Sequence, residues 1–303
     1  MRLAAYGVLA ATLVLWSGNW IVARAVRDDV APGIATAGRL LIALVVLAPL
    51  VGRSLRPALQ GLGARDWKVY LLLGLAGGGP HLAMQWLGLH HTTATSATLF
   101  LSMSPVFILL LARPVLGEPI GARQWAGVAV SFAGVATIAA RGSLDVLRTL
   151  SFNVGDLLSI GSMAMWAAYT IALRLRRDAL DTAQSLFLVC AIGLVVMLPW
   201  VVHDLLLSSA TRLSWRGALA VAYSAIGSLL LAYAGWSYVV RRLGAARAGA
   251  TMHLMPGIAV GMAALFLGEM PQAFHFAGMA LILAGVALST WRAPRVAPQA
   301  VGP

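Results

Sequence analysis

The chain has 303 residues, 60% of them apolar and only 11% charged, and a mean hydropathy of +0.85. A soluble domain carries about 25% charged residues, so this composition excludes an ordinary water-soluble fold and points to the bilayer. The net charge of +12 does not argue for a nucleic-acid partner, because the 22 basic residues lie between apolar runs and not in clusters. The single cysteine, Cys190, excludes a disulfide framework and reads as a small buried filler.

A hydrocarbon core of ~30 Å needs about 20 residues of helix. Ten runs qualify: 3–24, 33–52, 67–89, 93–112, 123–140, 153–173, 183–202, 215–240, 245–267 and 273–291. No cleavage pattern follows the first run, so it is expected to remain as a span and not to be removed as a signal peptide. An all-α integral membrane protein of ten transmembrane helices is the predicted fold class.

Span 1 places Thr12, Trp16, Asn19 and Trp20 on one stripe. Asn19 is the sharpest of these, because a buried amide needs partners. Trp20, near the outer end, suits an interfacial belt. Span 2 contains Arg39, the one basic residue inside a span. It lies roughly 9 Å inward from Gly33 at ~1.5 Å per residue, within reach of snorkelling to the surface, and snorkelling or a structural ion pair is preferred to a meeting with a substrate carboxylate at the outer vestibule.

Span 3 reads Gly77-Gly78-Gly79-Pro80-His81, followed by Gln85-Trp86. Three glycines before a proline weaken the helix and free backbone groups that only protein or water can satisfy. Gly77, Gly79 and Pro80 are therefore candidate hinge residues, and His81 and Gln85 stand one turn apart beside them. Span 4 carries Thr95, Thr98 and Ser102 on one stripe with Met103 adjacent, and Pro105 is expected to kink it. Span 5 shows Gly127 and Gly134 at a spacing of seven, a small-residue packing seam.

Span 6 repeats the style of span 1, with Ser159, Ser162, Met163, Trp166, Tyr169 and Thr170 on one stripe. Span 8 offers Tyr223, Gly227, Tyr233 and Trp236, spread over more than one face. Span 9 contributes His253 and a second kinking proline, Pro256. Span 10 carries the seam residues Gly278 and Gly285. Glu118 and Glu269 fall in short loops, where each is expected to cap the next helix. The segment 293–303 is Pro- and Ala-rich and expected to be a disordered tail.

The two halves are copies. Pro105–Arg141 aligns with Pro256–Arg292 at a constant offset of 151, with 14 of 37 positions identical, among them Gly117-Glu118 with Gly268-Glu269. Trp16, Ile21 and Arg24 align with Trp166, Ile171 and Arg174 at an offset of 150. The halves run over 1–142 and 152–292, and five spans apiece would give them opposite orientation. A cytoplasmic N-terminus puts 15 basic residues on the inner side and 6 on the outer, with Arg39 left inside a span, so both termini are expected in the cytoplasm.

Ten spans in two halves, each closed by Pro105, Gly117, Glu118, Gly127 and Gly134 or by Pro256, Gly268, Glu269, Gly278 and Gly285, resemble the EamA branch of the drug/metabolite transporter superfamily. Within it, the aromatic-rich spans look most like the YddG-type aromatic amino-acid exporters. The resemblance implies a secondary transporter of the bacterial inner membrane, working by alternating access around a central cavity. The residues expected to face the solute are Asn19, His81, Gln85, Trp86, Thr98, Ser102, Met103, Trp166, Tyr169, Tyr233, Trp236 and His253.

No Asp or Glu lies mid-span, which disfavours a proton-exchanging pump for cations. Aromatic, amide and hydroxyl groups suit a neutral or zwitterionic solute with an apolar side chain, such as an amino acid. Other drug-like or nucleoside metabolites are the alternative cargo. A membrane-embedded enzyme or a sensor is disfavoured, since no nucleophile–base pair or metal-spaced cluster is present. The partners called for are the small solute, the lipid bilayer and a second copy through spans 5 and 10. No cofactor, metal or nucleic acid is called for.

Overall fold

The computed structural model describes residues 2–117, 120–149, 152–207, 214–243 and 254–290, and every regular element among them is helical. Glu118, His253 and the tail 293–303 lie outside the described residues. Helix α1 covers Arg2–Ala25 and α2 covers Pro32–Val51, starting on a proline whose missing N–H would have had no intrahelical partner. The short α3 (Leu55–Gln60) leads into α4 (Ala64–Leu73), a π-helical segment (Gly74–Gly78) and α5 (Pro80–His91). Next come α6 (Ala94–Leu99), a 3₁₀ turn (Phe100–Met103), α7 (Ser104–Leu116), α8 (Ala122–Ala139) and the short α9 (Leu144–Thr149).

The second half begins with α10 (Val154–Leu175) and α11 (Thr182–Leu207). Helix α12 (Trp215–Tyr223) passes through a π-helical segment (Ser224–Leu231) into α13 (Ala232–Leu243). Helices α14 (Met255–Leu267) and α15 (Ala273–Thr290) follow. Among the described residues, six helical stretches are long and apolar enough to cross a bilayer, and Met255–Leu267 and Ala273–Leu288 are shorter apolar helices.

Two features recur at the offsets found in the sequence. Gly117 and Gly268 both end their helices in the left-handed region, at φ of 72° and 68°. Only glycine takes that conformation without strain, and it closes a helix sharply. The π-helical segments recur too: Ser224 stands 150 residues after Gly74 and Ser228 150 after Gly78. The glycine run does not break span 3. It widens one turn, with Gly79 N–H donating to the Gly74 carbonyl at 3.2 Å, and α5 resumes at Pro80. Such wide turns sit often at functional positions.

The prolines of spans 4 and 9 act differently from mid-helix kinks. Pro105 and Pro256 lie at the start of α7 and α14, where proline is tolerated. In span 4 the change of direction falls on the 3₁₀ turn just before Pro105.

Helix α8 packs along α15. A Cβ at Gly134 would stand 2.5 Å from the Gly278 carbonyl, and one at Gly285 would stand 2.4 Å from the Gly127 carbonyl. The seam is therefore consumed within the chain and is not open to a second copy. The outward faces keep Trp125, Phe132, Phe276 and Leu283 exposed for lipid or a neighbouring molecule. Away from this pair, α1 packs on α13 and α14, α10 on α5, and α11 on α2.

Candidate functional site

Helices α1, α5, α10 and α13 bring a continuous series of rings together. Trp16 meets Trp236 at 5.5 Å and Tyr233 edge-on at 5.7 Å between centroids. Tyr233 meets Trp166 edge-on at 6.5 Å, and Trp166 stacks on Tyr169 at 5.2 Å. His81 lies against Trp166 at 5.5 Å. These separations are those of favourable aromatic pairs. Trp16, Trp166, Tyr169, Tyr233 and Trp236 are only half-buried, so the rings border accessible space. Gly77 makes room for one of them: a Cβ there would stand 2.3 Å from the Tyr169 ring.

Polar groups fix the series from both π-helical segments. Beside the first, His81 Nδ1 is 2.7 Å from the Ser162 carbonyl oxygen and 2.9 Å from its Oγ, while Ser162 Oγ donates to the His81 carbonyl at 3.2 Å. Gln85 Nε2 lies 3.1 Å from His81 Nε2. A proton on Nδ1, with Nε2 accepting from the Gln85 amide, satisfies every one of these contacts with a neutral ring. From the second segment, Ser224 Oγ donates to Asn19 Oδ1 at 2.6 Å and the Ser228 carbonyl accepts from Trp16 Nε1 at 3.0 Å. Tyr223, just before it, donates to the Leu15 carbonyl at 3.0 Å.

Seven of the residues expected to face the solute meet here: Asn19, His81, Gln85, Trp166, Tyr169, Tyr233 and Trp236. Four others lie elsewhere. Trp86 is enclosed in an apolar cluster with Trp20, Leu89 and Met163. Thr98 returns its hydroxyl to the Ala94 and Thr95 carbonyls of its own helix, at 2.8 and 3.1 Å. Ser102 turns to the Met279 sulfur at 3.8 Å, and Met103 packs with Val128, Val135 and Ile282. Ser102 and Met103 therefore face the α8–α15 pair. Trp20 is not an interfacial residue either, being 3% exposed in the core.

Two residues carry more than the sequence suggested. Arg39 does not snorkel: it is 3% exposed and its Nη2 lies 3.4 Å from Ser228 Oγ. The N-terminal end of α2 is sealed at Gly33, whose N–H donates to Asp204 and whose Cα faces Trp200. Ser228 was legible only through the repeat, as the counterpart of Gly78.

Polar ties close both ends of the bundle. At one end Glu269 accepts from Arg24 Nε at 3.2 Å and from the Thr95 N–H at 3.1 Å, and Arg24 also donates to the Leu89 carbonyl. Glu269 thus caps a helix start, but that of α6 in the other half and not of the helix that follows it. At the other end Tyr70 Oη donates to Asp178 at 3.1 Å and lies 2.9 Å from Ser185 Oγ, and Asp178 is paired with Arg176 at 2.7 Å.

A model of the EamA-like transporter family matches residues 3–140 and, a second time, residues 153–291. The chain belongs to the EamA-like transporter family. It is 30% identical to a "probable terminal-alkyne amino-acid exporter" of Streptantibioticus cattleyicolor, over 92% of this chain and 91% of that one. An "uncharacterized transporter" of Archaeoglobus fulgidus is 28% identical over 93% and 96% of the two chains. A solved crystal structure superposes with a TM-score of 0.58 at 20% identity, covering 96% and 97%, which speaks for the fold alone. As an EamA-like member of the drug/metabolite transporter superfamily, this is a multi-pass membrane transporter and not an enzyme.

Proposed function

We propose that this EamA-like transporter exports amino acids, with preference for aromatic and apolar side chains, across the bacterial inner membrane. The observation that carries this reading is the half-buried ring series of Trp236, Trp16, Tyr233, Trp166 and Tyr169, bordered by the amides and hydroxyls of Asn19, Gln85, Ser162 and Ser224. Stacked rings suit a flat or branched apolar side chain, and fixed polar groups suit a zwitterion. The name of the relative from Streptantibioticus cattleyicolor points to the same cargo class. The nine described acidic residues lie in loops or in the end turns of helices, so none of them is a mid-span carboxylate that would serve an exchanged cation.

The transport cycle is alternating access between two inverted five-helix halves, residues 1–142 and 152–292, with both termini in the cytoplasm. Support comes from the family model matching twice, from the paired αL glycines and from the paired π-helical segments. The wide turns at Gly77, Gly79 and Pro80 and the helix starts at Pro105 and Pro256 are the places to bend. His81, with both ring nitrogens engaged, holds α5 against α10, and flux follows the solute gradient.

Efflux of radiolabelled phenylalanine, leucine and alanine from proteoliposomes tests the proposal. Saturable movement of phenylalanine that falls in Trp166→Ala is expected. Amino acids that leave no faster than from protein-free vesicles would sink it.

A further inference from the structure

Arg39 carries a charge that no acidic side chain among the described residues answers. Its Nε and Nη1 are buried without a hydrogen-bond partner, and among the described residues its one hydrogen bond is from Nη2 to Ser228 Oγ at 3.4 Å. Nine of the ten acidic residues are described, and none forms an ion pair with it. The tenth, Glu118, follows Gly117 at the far end of α7 in sequence. One turn before Arg39, on the same face of α2, the Thr36 hydroxyl is also buried and unpartnered. Two orphaned donors side by side are the donor set of an anion site, and a guanidinium held out of water without a counterion is costly unless an anion answers it.

The position fits the centre of the bundle. Ser228, whose Oγ lies 3.4 Å from Arg39 Nη2, accepts on its carbonyl from Trp16 Nε1 at 3.0 Å. Trp16 in turn meets Tyr233 and Trp236 in the ring series. A guanidinium presents a flat fork of donors that matches a carboxylate and no neutral group as well.

We propose that Arg39, with Thr36, binds the carboxylate of the transported solute. This rests on the amino-acid reading above. The α-carboxylate lies on Arg39, the side chain lies along the rings, and the ammonium faces the π-electrons and the carbonyls of the π-helical segments. A carboxylate without an amino group shares the chemistry, so the test separates the two.

The experiment is binding and efflux in purified, reconstituted protein with phenylalanine, phenylalaninamide and 3-phenylpropanoate, compared among wild type, Arg39→Met and Thr36→Val. In wild type, phenylalanine is expected to bind roughly 10- to 100-fold more tightly than its amide. Arg39→Met is expected to lose that preference, and Thr36→Val to reduce it a few-fold. Arg39→Met removes a buried unpaired charge, so its melting temperature without ligand should equal or exceed that of wild type. The melting shift given by phenylalanine should shrink in the same variant. If 3-phenylpropanoate matches phenylalanine, Arg39 stands as a general carboxylate site, and if it binds far more weakly the site reads a zwitterion.

Two results overturn different statements. Wild type that moves the amide as well as phenylalanine, or Arg39→Met that keeps the preference, removes the carboxylate role and leaves the exporter standing. Wild type that moves none of the three removes the exporter reading, and the Arg39 role with it.

Discussion

The α8–α15 pair and the ring-lined centre are built from the same apolar alphabet but to opposite ends. In the pair, backbone meets backbone through Gly134, Gly278 and Gly285, and Ser131 donates to the Ile282 carbonyl at 3.3 Å. Among the described residues, no buried polar side chain of the pair lacks a partner. In the centre, large rings meet edge-on, two helices carry wide turns, and the Thr36 hydroxyl and the Nε and Nη1 of Arg39 lack hydrogen-bond partners. Close-packed interfaces are rigid because any displacement loses dispersion at once, whereas wide turns and ring edges tolerate rearrangement. In the proposed transport cycle the pair is the scaffold and the ring-lined centre is the part that moves.

The strongest way to break that assignment is Gly285→Val. Its Cβ would stand 2.3 Å from Ser131 Oγ and 2.5 Å from the Ser131 nitrogen, so the helices must separate. Overpacking of this kind costs about 3 kcal/mol. Thermal unfolding in detergent should fall sharply, while efflux per folded molecule stays near wild type. A variant with normal melting and lost transport would move α15 into the working part of the molecule.

Trp166→Ala should do the reverse. Trp166 touches His81, Tyr169 and Tyr233, and is half-buried. Truncating an aromatic anchor at a binding site costs about 2 kcal/mol, roughly a 30-fold loss in solute affinity. Melting should move less than in Gly285→Val. Equal efflux by the variant and wild type would strip the rings of their role.

Much of this contrast was legible in the sequence, and the misreadings have physical causes. The seam showed because glycines seven apart fall on one helix face and let two backbones approach closely. Asn19, His81 and Trp166 showed because polar or aromatic residues on a stripe in lipid must face protein. Thr98 and Ser102 misled because a hydroxyl can be satisfied by its own helix or by a neighbouring sulfur, which no periodicity reveals. Trp86 misled because an indole about two turns beyond the glycine run shares its helix with the site but not its face. The wide turn at Ser224–Leu231 has no Gly-Pro signature and was visible only as the counterpart of Gly74–Gly78. Arg39 reads as a snorkelling residue until Asp204 and Trp200 are found sealing the end of α2.

The ties at the two ends belong with the moving region if they are weak enough to open each cycle. Glu269 joins α1 and α6 to the loop between α14 and α15, with Arg24 and Glu269 only 16% and 15% exposed. Glu269→Gln keeps an acceptor but loses the charge, a change of about 1 kcal/mol. In a Cys190→Ser background, thiol labelling of Ser162→Cys from outside should then rise about 5-fold, with Leu281→Cys unchanged. An unaltered rate at Ser162 would make this tie a permanent fastening.

The smallest effect is expected at the opposite tie, where pH supplies the handle. The hydrogen bond from Arg176 holds the Asp178 carboxyl below its ordinary value of 3.8, and the Leu180 N–H adds to it. A carboxyl depressed in the folded protein contributes stability that is fully present above 3.8 and is lost as pH falls through the lower folded value. Arg176 is partly exposed, so solvent screening limits the gain to about 0.5 kcal/mol. Asp178→Asn should therefore lower the melting temperature slightly at pH 7, and the gap to wild type should close as the acid range is entered. A gap of several kilocalories at neutral pH would mean that α4, α10 and α11 are locked together at this end. Movement would then have to come from the wide turns alone, with the helix ends fixed.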